Sequence, residues 1–263
     1  MLSSNLAETT GTRPRRGRRR GGRGATQIAT SLSIINPRYF VVVAAIFLAC
    51  RASAQIAQAQ PKSIVLPLSE PAKWQVLQYR NLPPHRVRFS SAGLEMAVDG
   101  SAMPLIYPLP QRLRVGEIRV KGRVDGALRL PPGRQGDEKF DDYVFRIGLV
   151  EPGERTLNFV QRQLAAAWVR KLFELAPSGT GISKIHFFNV GADMAHLGRH
   201  RQHPLSDLIL EQVVAVAQAD GRLDFTYALD RPLDTLAVWL SSDGDDSGAK
   251  FSVLIERIEL RER

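Results

Sequence analysis

Near the end of this 263-residue chain, the stretch SSDGDDSGAKF sets Asp243, Asp245, Asp246, Ser247 and Gly248 between two apolar runs. Asp243, Asp245 and Ser247 fall on alternate positions, and Gly248 follows at the sixth. A calcium loop presents its oxygen ligands with this spacing and then turns sharply on glycine. In a helix–loop–helix site the twelfth position carries a bidentate acid, and here it is Leu254. The flanks TLAVWLSS and FSVLIERI also read as strands, so a calcium hand is excluded. What remains is a strand–turn–strand oxygen cluster for Ca2+ that draws further ligands from elsewhere. The segment GDEKFDD, with Asp137, Glu138, Asp141 and Asp142, is the candidate donor. Carboxylates this crowded require a positive partner. Arg146 is the alternative to an ion, and a solvated turn is the simplest reading, because Asp, Ser and Gly favour turns.

A second constellation is DMAHLGRHRQHP, in which His196, His200 and His203 are spaced four and three apart. One helical face would gather all three, and three imidazoles suit zinc. Against zinc stand Gly198 and Pro204, which favour a loop, and Arg199 and Arg201, which add positive charge where a cation would sit. Nucleophilic chemistry has little to build on: there is no G-x-S-x-G elbow, and PSGTGIS lacks the closing Gly-Lys-Ser/Thr of a phosphate loop. Trp74, Trp168 and Trp239 can stack on a sugar ring, although the core is the ordinary place for each.

The elements that position these residues read mostly as strands. In EIRVKGRVDGALRL, Ile118, Val120, Val124 and Leu128 alternate with Arg119, Lys121, Arg123 and Arg129. Period two with one apolar face marks an antiparallel sandwich strand. DYVFRIGLV, KIHFFNV, DFTYAL, TLAVWLSS and FSVLIERIEL supply further strands, separated by Asp-Gly and Pro-Gly turns. Residues 154–176 break this pattern. Leu157, Val160, Leu164, Trp168, Leu172 and Leu175 recur at three or four residues, which predicts an amphipathic helix of about six turns with its stripe toward the core. Residues 205–219 suit either a second helix or a strand. The expected architecture is a mainly β, jelly-roll-like antiparallel β-sandwich over residues 64–263, with a helical insertion of one or two helices at about 154–219.

The formal charge of +10 invites a nucleic-acid reading, but its distribution does not support one. Residues 1–54 hold nine arginines against Glu8, and the remainder is close to neutral. The apolar run YFVVVAAIFLAC (39–50) follows Arg38 and ends at the small-residue exit Ala52-Ser53-Ala54, the pattern of a secretory signal peptide cleaved after Ala54. Its length falls short of a bilayer crossing, so no transmembrane span is expected. RPRRGRRRGGRG reads as part of this basic leader, with no nucleic-acid partner implied. The sole cysteine, Cys50, lies in the leader, so the processed chain carries no disulfide. FLAC is a poor lipoprotein box, which disfavours lipid anchoring at Cys50. Residues 55–63 read as a linker, and the expected location is periplasmic or secreted.

The acidic entry DDYVFRIGLV and the terminal turn DGDDSG before a last strand resemble a family of exported bacterial proteins of unknown function. Its members have a jelly-roll sandwich akin to carbohydrate-binding modules and galactose-binding-like domains. Asp141, Asp142 and Arg146 match the first motif; Asp243, Asp245, Asp246, Ser247 and Gly248 match the second. The resemblance implies a fold and no established reaction. With Trp239 added, Arg146, Asp141 and Asp142 form the expected ligand-binding set. The leading expectation is an exported, non-catalytic binding module for a glycan or another polar envelope component, with a structural calcium. The alternatives are a periplasmic metal-assisted hydrolase and a scaffold that docks a protein through the helical insertion.

Overall fold

A computed structural model describes residues 62–165, 167–204 and 206–263. The leader, its cleavage site, Cys50 and nearly all of the linker lie outside the described residues, as does the side chain of Trp168. The elements run in the order β1 (Ser63–Val65), β2 (Gln75–Val76), β3 (Arg86–Ser90), β4 (Gly93–Asp99), β5 (Leu105–Gly126) and β6 (Phe145–Gly153). Then come α1 (Phe159–Leu164), α2 (Ala167–Glu174), β7 (Gly181–Gly191), β8 (His200–Gln202), β9 (Ile209–Val216), β10 (Arg222–Ser241) and β11 (Lys250–Glu262).

One hydrogen-bonded ladder, β3-β4-β11-β5-β10-β6-β7-β9-β8, holds these strands, with β1 on β11 and β2 on β5. It doubles into two layers because β5 and β10 are long enough to serve both. Residues 117–123 of β5 pair with 222–228 of β10, and 105–115 pair with 233–240, with register shifts between Ala228 and Leu233 and between Thr235 and Ala237. β11 joins only the C-terminal half of β5, while β6 joins only the C-terminal end of β10. Register shifts of this kind bend a strand and raise its twist, which lets a sheet turn a corner. The mainly β sandwich expected from the alternating pattern is therefore present, built around a bent hairpin.

Side-chain alternation follows from the pleat. Ile147, Leu149, Phe188, Val190, Val238 and Leu240 point between the layers, into one core with Leu94, Met96, Ile118, Val120, Val253 and Ile255. Their neighbours Val150, Ile185, Phe187, Ala237 and Trp239 point to the outer face of the second layer and form a separate cluster with Leu172 of α2. Trp74 takes the ordinary core role: it is buried, and its indole N–H donates to the Pro67 carbonyl at 3.0 Å.

The helical insertion departs from expectation. Instead of one six-turn helix there are two short ones. Asn158 caps the first, its side chain accepting the Gln161 N–H, and Ala165 turns extended (φ −65°, ψ 144°) and ends it. The apolar stripe consequently divides: Leu172 is buried, whereas Val160 and Leu164 are 62% and 81% exposed. Period alone cannot register a break that the backbone makes within a continuous stripe. Beyond α2 the span holds strands and one 3-10 turn (Met194–His196). Residues 205–219 contain β9, which runs parallel to β7, so this region extends the second layer. Burial predicts that Leu172→Ala costs about 2–5 kcal/mol, and that Leu164→Ala stays within about 0.5 kcal/mol. Chemical denaturation of the two variants measures the difference.

Candidate functional site

The acidic turn is built by a reciprocal clasp between its two segments. The buried Asp142 carboxylate accepts the main-chain N–H groups of Asp246 (3.2 Å) and Ser247 (2.7 Å). In return, the Asp246 carboxylate accepts the Asp141 N–H at 3.0 Å. Gly248, with φ 68°, completes the reversal in a backbone region that side chains resist. His85 pins the base of the turn, its ring nitrogens lying 2.7 Å from Ser101 Oγ and 2.6 Å from the Ser242 carbonyl. The two segments read from the sequence as partners are thus joined, but their carboxylates serve different neighbours. Asp243 binds Arg146, Asp142 binds main chain, and Asp246 reaches back to Asp141. Among the described residues, no group of three or more His, Cys, Asp and Glu side chains converges as metal ligands would.

Arg146 stands on β6, with Asn189 opposite it on β7 and Ser241 opposite it on β10. Its guanidinium donates to Asp243 at 2.9 Å and to Asn189 Oδ1 at 3.3 Å, and also binds Glu211 of β9. The rings of Tyr143 and Phe187 lie 4.7 and 4.9 Å from its central carbon, so the cation is held between aromatic faces. Arg201, paired with Glu211 across β8 and β9, donates to the second Glu211 oxygen at 2.6 Å and also binds Asp141 and the Gly136 carbonyl. His203 ends the chain, 3.4 Å from Asp141. Charges alternate along the row Asp243, Arg146, Glu211, Arg201 and Asp141. Removing one member of such a buried row leaves its neighbours uncompensated.

Burial governs the ionisation of this row. It pushes the Asp243 carboxyl up to about 7 against the pull of Arg146. Asp245 is pushed up to about 6, first by burial and then by the nearby Asp142. Asp141 goes the other way: burial raises it, but His203, Arg146 and Arg201 outweigh that and hold it below the usual carboxylate range.

Beside this row, on the outer face of the second layer, lies a cavity of about 1010 Å³. Trp239, Phe187 and Arg146 form its sheet wall, Leu172 and Phe173 of α2 the facing wall, and Tyr79 with Arg80 and Asn81 one rim. Trp239 meets Phe187 edge-on, with centroids 5.5 Å apart at 84°. Gly148 makes that contact fit, since a Cβ there would come within 2.8 Å of the Phe187 ring.

Of the residues singled out in the sequence, Trp239 and Arg146 line this cavity; Asp141 stands behind it through His203, and Asp142 is structural. The three histidines do not gather on a helix face. His196 sits buried in a 3-10 turn with its Nδ1 4.0 Å from Asp193, His200 is on β8, and His203 is beside Asp141. Phe187, Tyr79, Glu211 and Arg201 were not singled out as site residues. Glu211 had a signal: a lone acid within the apolar run LILEQVV asks for a buried partner.

No family model matches this chain, and no curated protein is similar to it. Solved structures with a related fold include a xylan-binding module, CBM15, with a TM-score of 0.33 and 9% identity over 77% of this chain and 97% of that one. The Crh5 transglycosylase is similar with a TM-score of 0.29 and 9% identity, over 76% and 84% of the two chains. Xylanase10C from Cellvibrio japonicus, in complex with xylopentaose, gives 0.28 and 8% over 75% of this chain and 28% of that one. At identities of 8–9% and TM-scores of 0.28–0.33, these likenesses fix neither ligand nor reaction.

The raised Asp245 has a definite sign in its pH dependence. Its folded value of about 6 lies above the ordinary 3.8, so its favourable contribution is complete below 3.8 and is lost as pH rises through about 6. Asp245→Asn therefore raises the melting temperature at about pH 8 and leaves it unchanged at about pH 4. Arg146→Ala, which strands Asp243 and Glu211, costs about 3–5 kcal/mol in a urea melt at neutral pH.

Proposed function

We propose that this chain is an exported, non-catalytic module that binds a glycan in the cavity over the outer face of its second layer. The observation that carries this reading is the composition of the cavity. It joins aromatic and aliphatic walls with polar groups that include Arg80, Asn81, Gln202, His203 and Ser206 and the ion pair Arg155–Asp207. Apolar walls with a few convergent polar groups are how proteins hold small organic ligands, and a volume of about 1010 Å³ accommodates several sugar units. Sugar rings present an apolar C–H face to aromatic side chains and hydroxyls to amides and guanidinium groups. The leader supports placing the module outside the cytoplasm.

The state of the acids favours binding over acid–base chemistry. Both oxygens of Glu211 are taken by arginines, and both oxygens of Asp142 by main-chain N–H groups. Asp243 is held by Arg146. Carboxylates engaged in this way hold Arg146 and the acidic turn beside the cavity in place and have no free geometry for proton transfer to a ligand.

Passing the full chain over immobilised plant and bacterial polysaccharides should show retention on at least one of them, with a change in tryptophan emission on binding. Asn81→Ala should weaken that retention about tenfold, the loss expected for one or two ligand hydrogen bonds. Absence of retention on every polysaccharide, with the fold intact by circular dichroism, overturns the reading.

A further inference from the structure

Phe187 and Phe188 point to opposite faces of β7, and each face carries a cavity. The second cavity, of about 490 Å³, opens at the mouth of the sandwich, between β7 and β9 and the middle of β10. Its position follows from the hairpin bend. Between Ala228 and Leu233 the pairing of β10 with β5 slips, so residues 229–232 leave the ladder and carry Asp230 and Arg231 to the cavity edge. Irregularities of this type commonly re-aim side chains next to binding sites.

The floor is apolar, made by buried Phe188, Leu229 and Leu233. The half-buried Tyr227 ring lies 5.3 Å from that of Phe188, and its hydroxyl donates to the Gln212 amide oxygen at 2.7 Å. That bond fixes the orientation of Gln212 and leaves its NH2 group to donate into the cavity. Along one side, Glu151 accepts from Arg231 at 3.3 Å and lies 3.0 Å from His186 Nε2, so charge there is already balanced. Arg201 is likewise balanced by Glu211. The Asp230 carboxylate is exposed at the mouth, and among the described residues no cation pairs with it.

We infer that this cavity is a second binding site, which takes a single neutral sugar ring or the end of a short neutral oligosaccharide. The ring lies with its C–H face toward Tyr227, its hydroxyls donating to Asp230 and accepting from the Gln212 NH2 group. The absence of surplus positive charge and the outward Asp230 disfavour an acidic sugar. A volume of about 490 Å³ falls within the usual range for small-molecule pockets and is too small for an extended chain. Phe187 lines both cavities, but the groups proposed to hold the sugar here, Tyr227, Gln212 and Asp230, line only the smaller one, so either site can fail without the other.

The test is a titration of the isotope-labelled full chain with the methyl β-glycosides of xylose, glucose and galactose, followed by amide and side-chain NMR. At least one should move the Gln212 NH2 and Tyr227 signals saturably, with a Kd on the order of millimolar, and without changing tryptophan emission, because no tryptophan lines this cavity. Asp230→Ala, at an exposed position that leaves the melting temperature unchanged, should weaken that binding about fivefold, the loss of one hydroxyl–carboxylate bond. No saturable shift at Gln212 with any of the three sugars overturns the inference, as does undiminished binding by Asp230→Ala. Success at Gln212 with no polysaccharide retention would show that this site exists while the larger cavity serves another ligand.

Discussion

A guanidinium buried among five partners holds the functional end of this molecule together. Arg146 is stacked between the rings of Tyr143 and Phe187 and binds Asp243, Glu211 and Asn189. These contacts come from four segments: the loop before β6, β7 (Phe187 and Asn189), β9 and the acidic turn after β10. Arginine suits this role because its charge persists on burial and its planar fork serves several acceptors while both faces remain open to aromatic rings. Through Glu211 the same charge is relayed to Arg201 and thence to Asp141, so the loop, the edge strand β8 and the turn share one electrostatic balance. For Asp243, the positive counterpart is this guanidinium.

The bent β5–β10 hairpin sets where that balance can sit. Because β10 contributes its N-terminal half to one layer and its C-terminal half to the other, Trp239 faces outward although the strand bearing it runs through the centre of the sandwich. A buried tryptophan on an outer face needs cover, and α2 with Leu172 provides it. The gap left between helix and sheet is the larger cavity, and the slip in β10 opens the smaller one on the opposite face of β7. Both cavities are consequences of how one hairpin turns a corner, and the aromatic pair Phe187–Phe188 marks the wall between them.

Strands in which one face stays apolar could be read directly. Ile118 and Val120 alternate with Arg119 and Lys121, and the structure places them as period two requires. The clasp between GDEKFDD and the terminal turn was also visible in outline, because concentrated like charge calls for a partner. The helix of 154–176 misled for the reason that it looked convincing. Periodicity reports which residues would share a face if the backbone were continuous, and Ala165 makes it discontinuous. In the same way, residues 205–219 are rich in apolar and β-branched residues, a pattern that strand and buried helix share, and only pairing with β7 and β8 makes the segment a strand.

What the sequence alone determined was local: strand alternation, turn positions, the acidic character of two loops, and the concentration of arginine before an apolar run in residues 1–54. These properties arise from neighbours within a few residues, where backbone geometry relates spacing to direction. Only the tertiary structure decided which charge neutralises which, that Arg146 rather than a converged set of carboxylates receives Asp243, and that Trp239 walls a cavity. Such outcomes depend on contacts between segments tens to a hundred residues apart, and pairing at that range is set by the register of strands and the bend of one hairpin, which composition and period do not encode.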